Sequence, residues 1–244
     1  RGGATVTVRD LTFTRGYNMD VGAAIYVREG SRITIERCRF VDNHVGHDGG
    51  AVHVRNQRSL MRIVDSVFEG NTSGFTSGAA SAVLNAALDV ENSVFVGNRA
   101  LVAGAIGVNA SRLTVANSLF VENDGAVSAV RFLESTGSVE NCTFYGNRGT
   151  NSTVDVADSS PATFRRNVLV GEQLGFGLEP GTAIRSCNVY WDNTAGAVDG
   201  GLVAGEVVAE PDVADVAALV DDPERALGLD GRLDCGREIG RAHV

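Results

Sequence analysis

The chain has 244 residues, 43% of them hydrophobic, and carries 30 acidic against 21 basic side chains for a formal net charge of −9. No apolar run approaches the ~20 residues that a membrane-spanning helix needs, and an acidic chain without a basic stripe lacks the electrostatic footprint of a nucleic-acid binder. Every basic residue is arginine, which excludes mechanisms built on a lysine base, a Schiff base or a phosphate-loop lysine.

From the first residues onward the sequence repeats. Phe13, Phe40, Phe68, Phe95, Phe120 and Phe144 recur at intervals of 27, 28, 27, 25 and 24 residues, and Leu169 and Tyr190 continue the series. Seven positions before each phenylalanine stand Val6, Ile33, Met61, Leu88 and Leu113; five before stand Val8, Ile35, Ile63, Val90, Val115 and Val139. Two before come Cys38, Ser66, Ser93, Ser118 and Cys142, and three after come Asn43, Asn71, Asn98, Asn123 and Asn147. Each unit then turns at a glycine into a further short strand: Gly22 to Val27, Gly49 to Val54, Gly78 to Val83, Gly104 to Val108, and looser versions near Val127 and Val154.

A period in the twenties made of short alternating strands predicts an all-β, right-handed parallel β-helix of about seven to eight coils over residues 1–193, each unit forming one turn. Like positions then stack ~4.8 Å apart. Phenylalanines form an internal aromatic pile, and Ser and Cys fit a tight inward corner. Asparagines suit the turn because they tolerate left-handed backbone and bond to the amides above and below. The chain opens already in register at Val6 and Val8, so it is expected to begin inside a longer precursor with an uncapped first coil.

Phe40-Val41-Asp42-Asn43 with Gly49-Gly50-Ala51-Val52 resembles the paired Phe-x-x-Asn and Gly-Gly-Ala-Ile motifs of polymorphic outer-membrane-protein repeats, which are β-helical surface adhesins. The resemblance implies a bacterial, secreted or cell-surface habitat, and it carries no active site with it. A non-catalytic, adhesin-like scaffold that binds a glycan or a protein is therefore expected. The alternative is a polysaccharide lyase or glycoside hydrolase acting on an extended acidic polysaccharide.

Chemistry-bearing residues gather in two places. Stacking would bring Tyr17, Asn18 and Asp20 beside Asp42, His44, His47, Asp48 and Phe75, where His44, His47 and Asp48 could ligate a divalent metal or supply a general base. A solvated polar loop is the simpler reading, because no further ligand has defined spacing. The outward column of the Gly-Ala-Val strand would run Tyr26, His53, Ser81, Gly107, Ser128 and Asp155, flooring a shallow groove. Ordinary strand alternation explains the same pattern. An anionic polysaccharide would have to use Arg28, Arg32, Arg37, Arg39, Arg55, Arg58 and Arg62 of the first coils. No cofactor is required, although calcium or another divalent ion would fit Asp230 and Asp234 in the tail, where Asp230-Gly231 is first of all a turn signal.

Beyond Asn193 the repeat ends in sequence, and 194–244 is expected to pack on or cap the helix, with Pro211, Val213, Val216, Ala217 and Val220 at helical spacing. Cys38 and Cys142 lie about four coils apart, too far to bond, whereas Cys187 and Cys235 are candidates for a disulfide pinning the tail. Residues flanking the phenylalanines should point outward, yet Val94, Val96, Leu119, Val121, Tyr145, Val168 and Val170 form an apolar stripe. The chain is expected to be monomeric unless Val94, Val96, Leu119 and Val121 are an interface.

Overall fold

The computed structural model describes residues 3–179, 183–198, 201–203 and 206–208. Short strands separated by corners wind into a parallel solenoid with three faces. The first face stacks eight strands, from Thr5–Arg9 to Ala183–Ser186. The second stacks nine, from Thr12–Thr14 through Val189–Trp191 to Val207–Val208. The third stacks seven, from Ile25–Val27 to Phe176–Leu178, and a three-stranded extension (Tyr17–Asn18, His44–Val45, Thr72–Ser73) precedes it in the early coils. In later coils the two parts fuse into the ten-residue strands Asp124–Leu133 and Arg148–Ala157.

The phenylalanine series is the register of the second face: Phe13, Phe40, Phe68, Phe95, Phe120, Phe144, Leu169 and Tyr190 are consecutive strand partners. Their rings stack with centroids 4.6–4.9 Å apart and planes within 10° of parallel, which is the strand spacing itself. The aliphatic columns close around this pile, so Ile35, Met61, Ile63, Leu88 and Leu113 are fully buried. In the last coils the packing changes. Phe132 and Phe176 from the third face and Phe164 from the first fill the interior with edge-on and tilted contacts, as Leu169 takes the phenylalanine's place.

Inward corners need a polar side chain because the chain bends there and leaves backbone groups without a strand partner. Asn43, Asn71, Asn98, Asn123 and Asn147 supply it. Asn43 Oδ1 accepts from the Gly16 N–H at 2.9 Å; in the four that follow, each Oδ1 accepts from the backbone N–H and the Nδ2 of the asparagine one coil earlier at 2.8–3.1 Å, and all five Nδ2 groups also donate to a phenylalanine carbonyl of the preceding coil. The expected left-handed geometry belongs to the residue before: Arg15, Asp42, Glu122 and Asp192 have φ of 50–54°, interleaved with Gly70, Gly97, Gly146 and Gly171. The asparagine is selected for its amide and its inward direction, and its neighbour turns the corner.

A second corner repeats the device with hydroxyls: Ser66, Ser93 and Ser118 each accept a backbone N–H from the coil before, and Asn167 and Asn188 continue after Cys142. Burial pushes the Cys142 thiol up to about 12, so it fills space without reacting. A third corner, not foreseen from the repeat, places Ser59, Ser135 and Ser160 under the N–H groups of Gly30, Ser111 and Ser135. Where the Gly-Ala strand begins, the coils approach closely: a β-carbon on Gly78 would lie 2.1 Å from the Gly104 carbonyl oxygen, and one on Gly104 at 2.1 Å from that of Ser128. The solenoid also continues past Asn193, since Val198 bridges Phe176 and Val207–Val208 pairs with Val189 and Tyr190.

Two ladders contain a buried glutamate, and the asparagine ladder runs on past Glu172 to Asn193, whose Oδ1 accepts the Glu172 N–H at 2.9 Å. Glu206 accepts from Asn188 Nδ2 and Tyr190 Oη at 2.9 Å and faces Arg185 at 3.5 Å. Glu172 stands in the asparagine column, accepting Asn147 N at 3.2 Å, Asn147 Nδ2 at 2.9 Å and the Thr153 hydroxyl at 2.6 Å, and is 1% exposed. Burial raises its carboxyl from 4.5 to about 7.

Asn98→Ala would strip the Asn71 backbone N–H and the Phe68 carbonyl of their buried side-chain partner, while Asn71 Nδ2 keeps the Phe40 carbonyl, and is expected to cost about 3 kcal/mol in urea unfolding, at ~1–3 kcal/mol per stranded group. Glu172 binds its proton more tightly in the folded chain than in the unfolded one, so its contribution is most favourable below about pH 4.5 and is lost as pH rises through about 7. The loss amounts to on the order of 3 kcal/mol at ~1.4 kcal/mol per pH unit of separation. The stability difference between Glu172→Gln and the native chain should therefore change in favour of the variant from pH 5 to pH 8; a difference independent of pH would contradict this.

Candidate functional site

On the first face, and in the early coils of the second, charged outward side chains form ion pairs between neighbouring coils. Arg9–Glu36, Arg37–Asp10, Arg39–Glu69, Arg62–Glu91 and Arg112–Asp89 lie at 2.6–3.2 Å, and Arg28 lies beside Glu29 and over the Tyr26 ring. Arg28, Arg37, Arg39 and Arg62, four of the seven expected to greet an anionic polymer, are thus paired with carboxylates and present no basic stripe. Such exposed pairs contribute little to stability.

The third face differs. Strand pairing sets Tyr17, His44, Thr72, Arg99, Asp124 and Arg148 in one outward row. The Tyr17 ring, 68% exposed, stacks on His44 at 5.6 Å; His44 Nδ1 meets Thr72 Oγ1 at 2.8 Å; Arg99 pairs with Asp124 at 3.3 Å. Beside this row runs a second one, in which the His47 N–H donates to the Asp20 carbonyl, the Phe75 N–H donates to that of His47, and the His47 and Phe75 rings lie 5.2 Å apart. His47 Nδ1 lies 3.2 Å from Asp48, which accepts the Thr76 hydroxyl. Tyr17, Asp20, His44, His47, Asp48 and Phe75 are therefore brought to one edge as expected. The two histidines engage different partners, and no group of three His, Cys, Asp or Glu side chains suited to a metal occurs among the described residues. Asp230 and Asp234 lie outside the described residues.

An open cleft of about 600 Å³ extends from this edge over four coils, lined by 72–74, 99–101, 124–126 and 148–150. Its floor is made of small residues (Gly74, Ala100, Gly125, Ala126, Gly149), and Leu101, 66% exposed, stands on its rim. A floor of small residues bordered by guanidinium groups, a carboxylate and hydroxyls, with the Tyr17 and His44 rings further along the same row, suits an extended ligand lying along the solenoid axis.

The other expected groove does not form. The strand column reads Tyr26, His53, Ser81, Gly107, Arg131 and Asp155. Ser128 drops out because register shifts between Gly125 and Val130 displace the strand, which period-two counting could not detect. Arg131 replaces it and pairs with Asp155 at 3.3 Å, while burial raises the Asp155 carboxyl. His53 and Ser81 are each 1% exposed. The turn glycines lie over them: a β-carbon on Gly22 would come within 3.2 Å of the His53 β-carbon, and one on Gly49 within 2.6 Å of Ser81 Oγ. His53 Nδ1 bonds Ser81 Oγ at 2.6 Å and its Nε2 is buried without a partner. Burial lowers its pKa from 6.5 to about 4.

With the coils, corners and parallel register established, the family follows from one comparison: the family model of a right-handed β-helix region matches residues 1–201. The chain belongs to the right-handed β-helix family. Neither a curated protein nor a solved structure matches it.

On the second face of this β-helix part of the apolar stripe is closed off from water, while Val96, Tyr145 and Val168 stay half-buried. Val67, Val94, Leu119 and Val121 are 1–4% exposed and form a cluster separate from the coil interior, with Val96 and Tyr145 packed against it. Val94, Leu119 and Val121 are thus not the wet surface expected from alternation. Pro211 to Val220, in the segment expected to pack on or cap the helix, lie outside the described residues. Cys187 occupies a corner position with φ of 60°, and its expected partner Cys235 lies outside the described residues.

His53 is expected to stay neutral until pH approaches 4 in an NMR titration of its ring nitrogens, its stabilising contribution being complete above about 6.5 and lost as pH falls toward 4. A midpoint near 6.5 would mean that the ring is open to water.

Proposed function

We propose that this β-helix is a secreted or cell-surface module without catalytic activity, a rigid adhesin-like scaffold that binds an extended glycan along its third face. The observation that carries the reading is the exposed row from Tyr17 to Arg148 beside a floor of small side chains, held in register over successive coils. Tyr17 offers a flat apolar surface to a sugar ring, and Thr72, Arg99, Asp124 and Arg148 offer donors and acceptors to its hydroxyls. Rigidity supports the same reading, since a ligand that meets a preformed surface loses less affinity to ordering of the protein.

A polysaccharide lyase or hydrolase is the second reading, favoured by the His47–Asp48 contact of 3.2 Å near Asp20. A glycan array combined with absorbance at ~235 nm for unsaturated products separates the two; sustained product formation, or reducing ends released by hydrolysis, would replace the scaffold reading. For a glycan captured on the array, Tyr17→Ala and Arg99→Ala should each weaken binding by roughly tenfold, about 1.4 kcal/mol, in calorimetric titration. Arg62→Ala on the first face should leave it unchanged. Equal affinities for all three variants would remove the third face from the account.

A further inference from the structure

A second cleft, of about 400 Å³, lies around the asparagine corner between the second and third faces. We propose that it is a binding site for a neutral oligosaccharide built of pyranose rings. It is independent of the third-face cleft except that Arg148 borders both.

The strand register builds it. Tyr145, Val170 and Trp191 are successive partners on the outward side of the second face, so the two aromatic rings stand two strand steps apart, ~10 Å, with Val170 between them. One position further on, where each coil turns through left-handed backbone, these three coils carry Gly146, Gly171 and Asp192, and the coil before them carries Glu122. The two glycines leave a trough between the carboxylates: a β-carbon on Gly146 would meet only Glu122 Cγ, at 3.9 Å, and one on Gly171 only the Gly146 nitrogen, at 4.0 Å. Glu122, Asp192 and Arg148 are exposed, and among the described residues their side chains enter no ion pair or hydrogen bond. That contrasts with the cross-coil pairing of arginines elsewhere on the surface.

The ligand class follows from this arrangement. Two aromatic faces on one wall favour flat apolar surfaces such as the C–H face of a pyranose ring. Carboxylates at both ends repel an anionic polymer, and the Arg148 guanidinium at the side opposes a cationic ligand. The rings are separated by Val170 and make a platform, which differs from the enclosing cage that a quaternary ammonium group needs. Unpaired acceptors and a fork of donors beside such a platform match an uncharged, hydroxyl-rich chain. The carboxylate-bearing backbone positions are three strand steps apart, ~14 Å, wider than the ~5–9.5 Å between catalytic carboxyls in glycosidases, so the pair is placed to hold a chain rather than to cleave it.

Trp191 is the only tryptophan of the chain, so its fluorescence reports directly on this cleft. Titration of the native protein with cellopentaose, xylopentaose and chitopentaose should give a saturable change in emission with at least one of them. Tyr145→Ala should weaken that binding by roughly tenfold, as expected for a truncated aromatic anchor. Tyr145→Phe should retain it, and Glu122→Gln, at an exposed side chain, should weaken it while the unfolding midpoint stays unchanged. No emission change with any of the three would overturn the proposal, as would a stronger response to oligogalacturonate or to choline. Array binding abolished by Arg99→Ala with Trp191 silent would leave the third-face reading standing and eliminate this one.

Discussion

Every feature of this protein depends on one constraint: consecutive coils lie in register one strand spacing apart, and side-chain amides and hydroxyls at the corners hold them there. The asparagine ladder shows why this is more than alignment. Each amide closes backbone groups of the coil before it and is itself completed by the next, so no rung is satisfied alone. A shift of one residue would strand donors and acceptors in an interior with almost no water access. The phenylalanine pile adds apolar burial at the same spacing, but it is less exacting, since Leu169 and Tyr190 continue the column without stacking. Hydrogen bonding sets the register and hydrophobic burial supplies most of the driving force.

The in-register frame also explains the surface. Outward side chains face their counterparts one coil away, so arginines meet carboxylates and the net acidic chain is covered by short-range pairs over its first coils. The third-face cleft keeps such a pair in Arg99–Asp124, whereas Glu122, Arg148 and Asp192 at the corner cleft stand outside the pairing. On the third face, small residues over four coils leave a flat floor; at the corner, glycines between Glu122 and Asp192 leave a trough. Neither cleft needs a long inserted loop, because both arise from omission of side chains in otherwise regular columns.

Much of the architecture was legible in the sequence because the period is written in residues with strong preferences. Phe, Asn and Ser/Cys recur at fixed offsets, and their inward direction follows from alternation. What could not be read were departures from regular counting. The bulged strand Asp124–Leu133 put Arg131 where Ser128 was expected. The turn glycines folded back over His53 and Ser81, so an outward-pointing column became buried. Left-handed geometry fell on Asp42 or Glu122 rather than on the asparagines, a difference invisible to propensity because Asn is favoured in both roles. Glu172 and Glu206 looked like ordinary surface acids, since only the three-dimensional column shows that they stand in for an amide. Of the candidate site, the Tyr17–His44–His47–Asp48 edge was found from stacking alone; Arg99, Asp124 and Arg148 were missed because the repeat there carries no fixed residue type.

The most direct test measures the stacking itself. Spin labels carried by noncanonical residues at positions 34, 138 and 184, which belong to one outward column of the first face, leave the native cysteines untouched. Electron–electron distances should scale with the number of coils, with backbone anchors ~19 Å apart for Thr34 and Ser138 and ~29 Å apart for Thr34 and Ile184 at ~4.8 Å per strand step. Distances that do not grow in the ratio of four steps to six would contradict a continuous in-register solenoid, and both clefts would lose their basis.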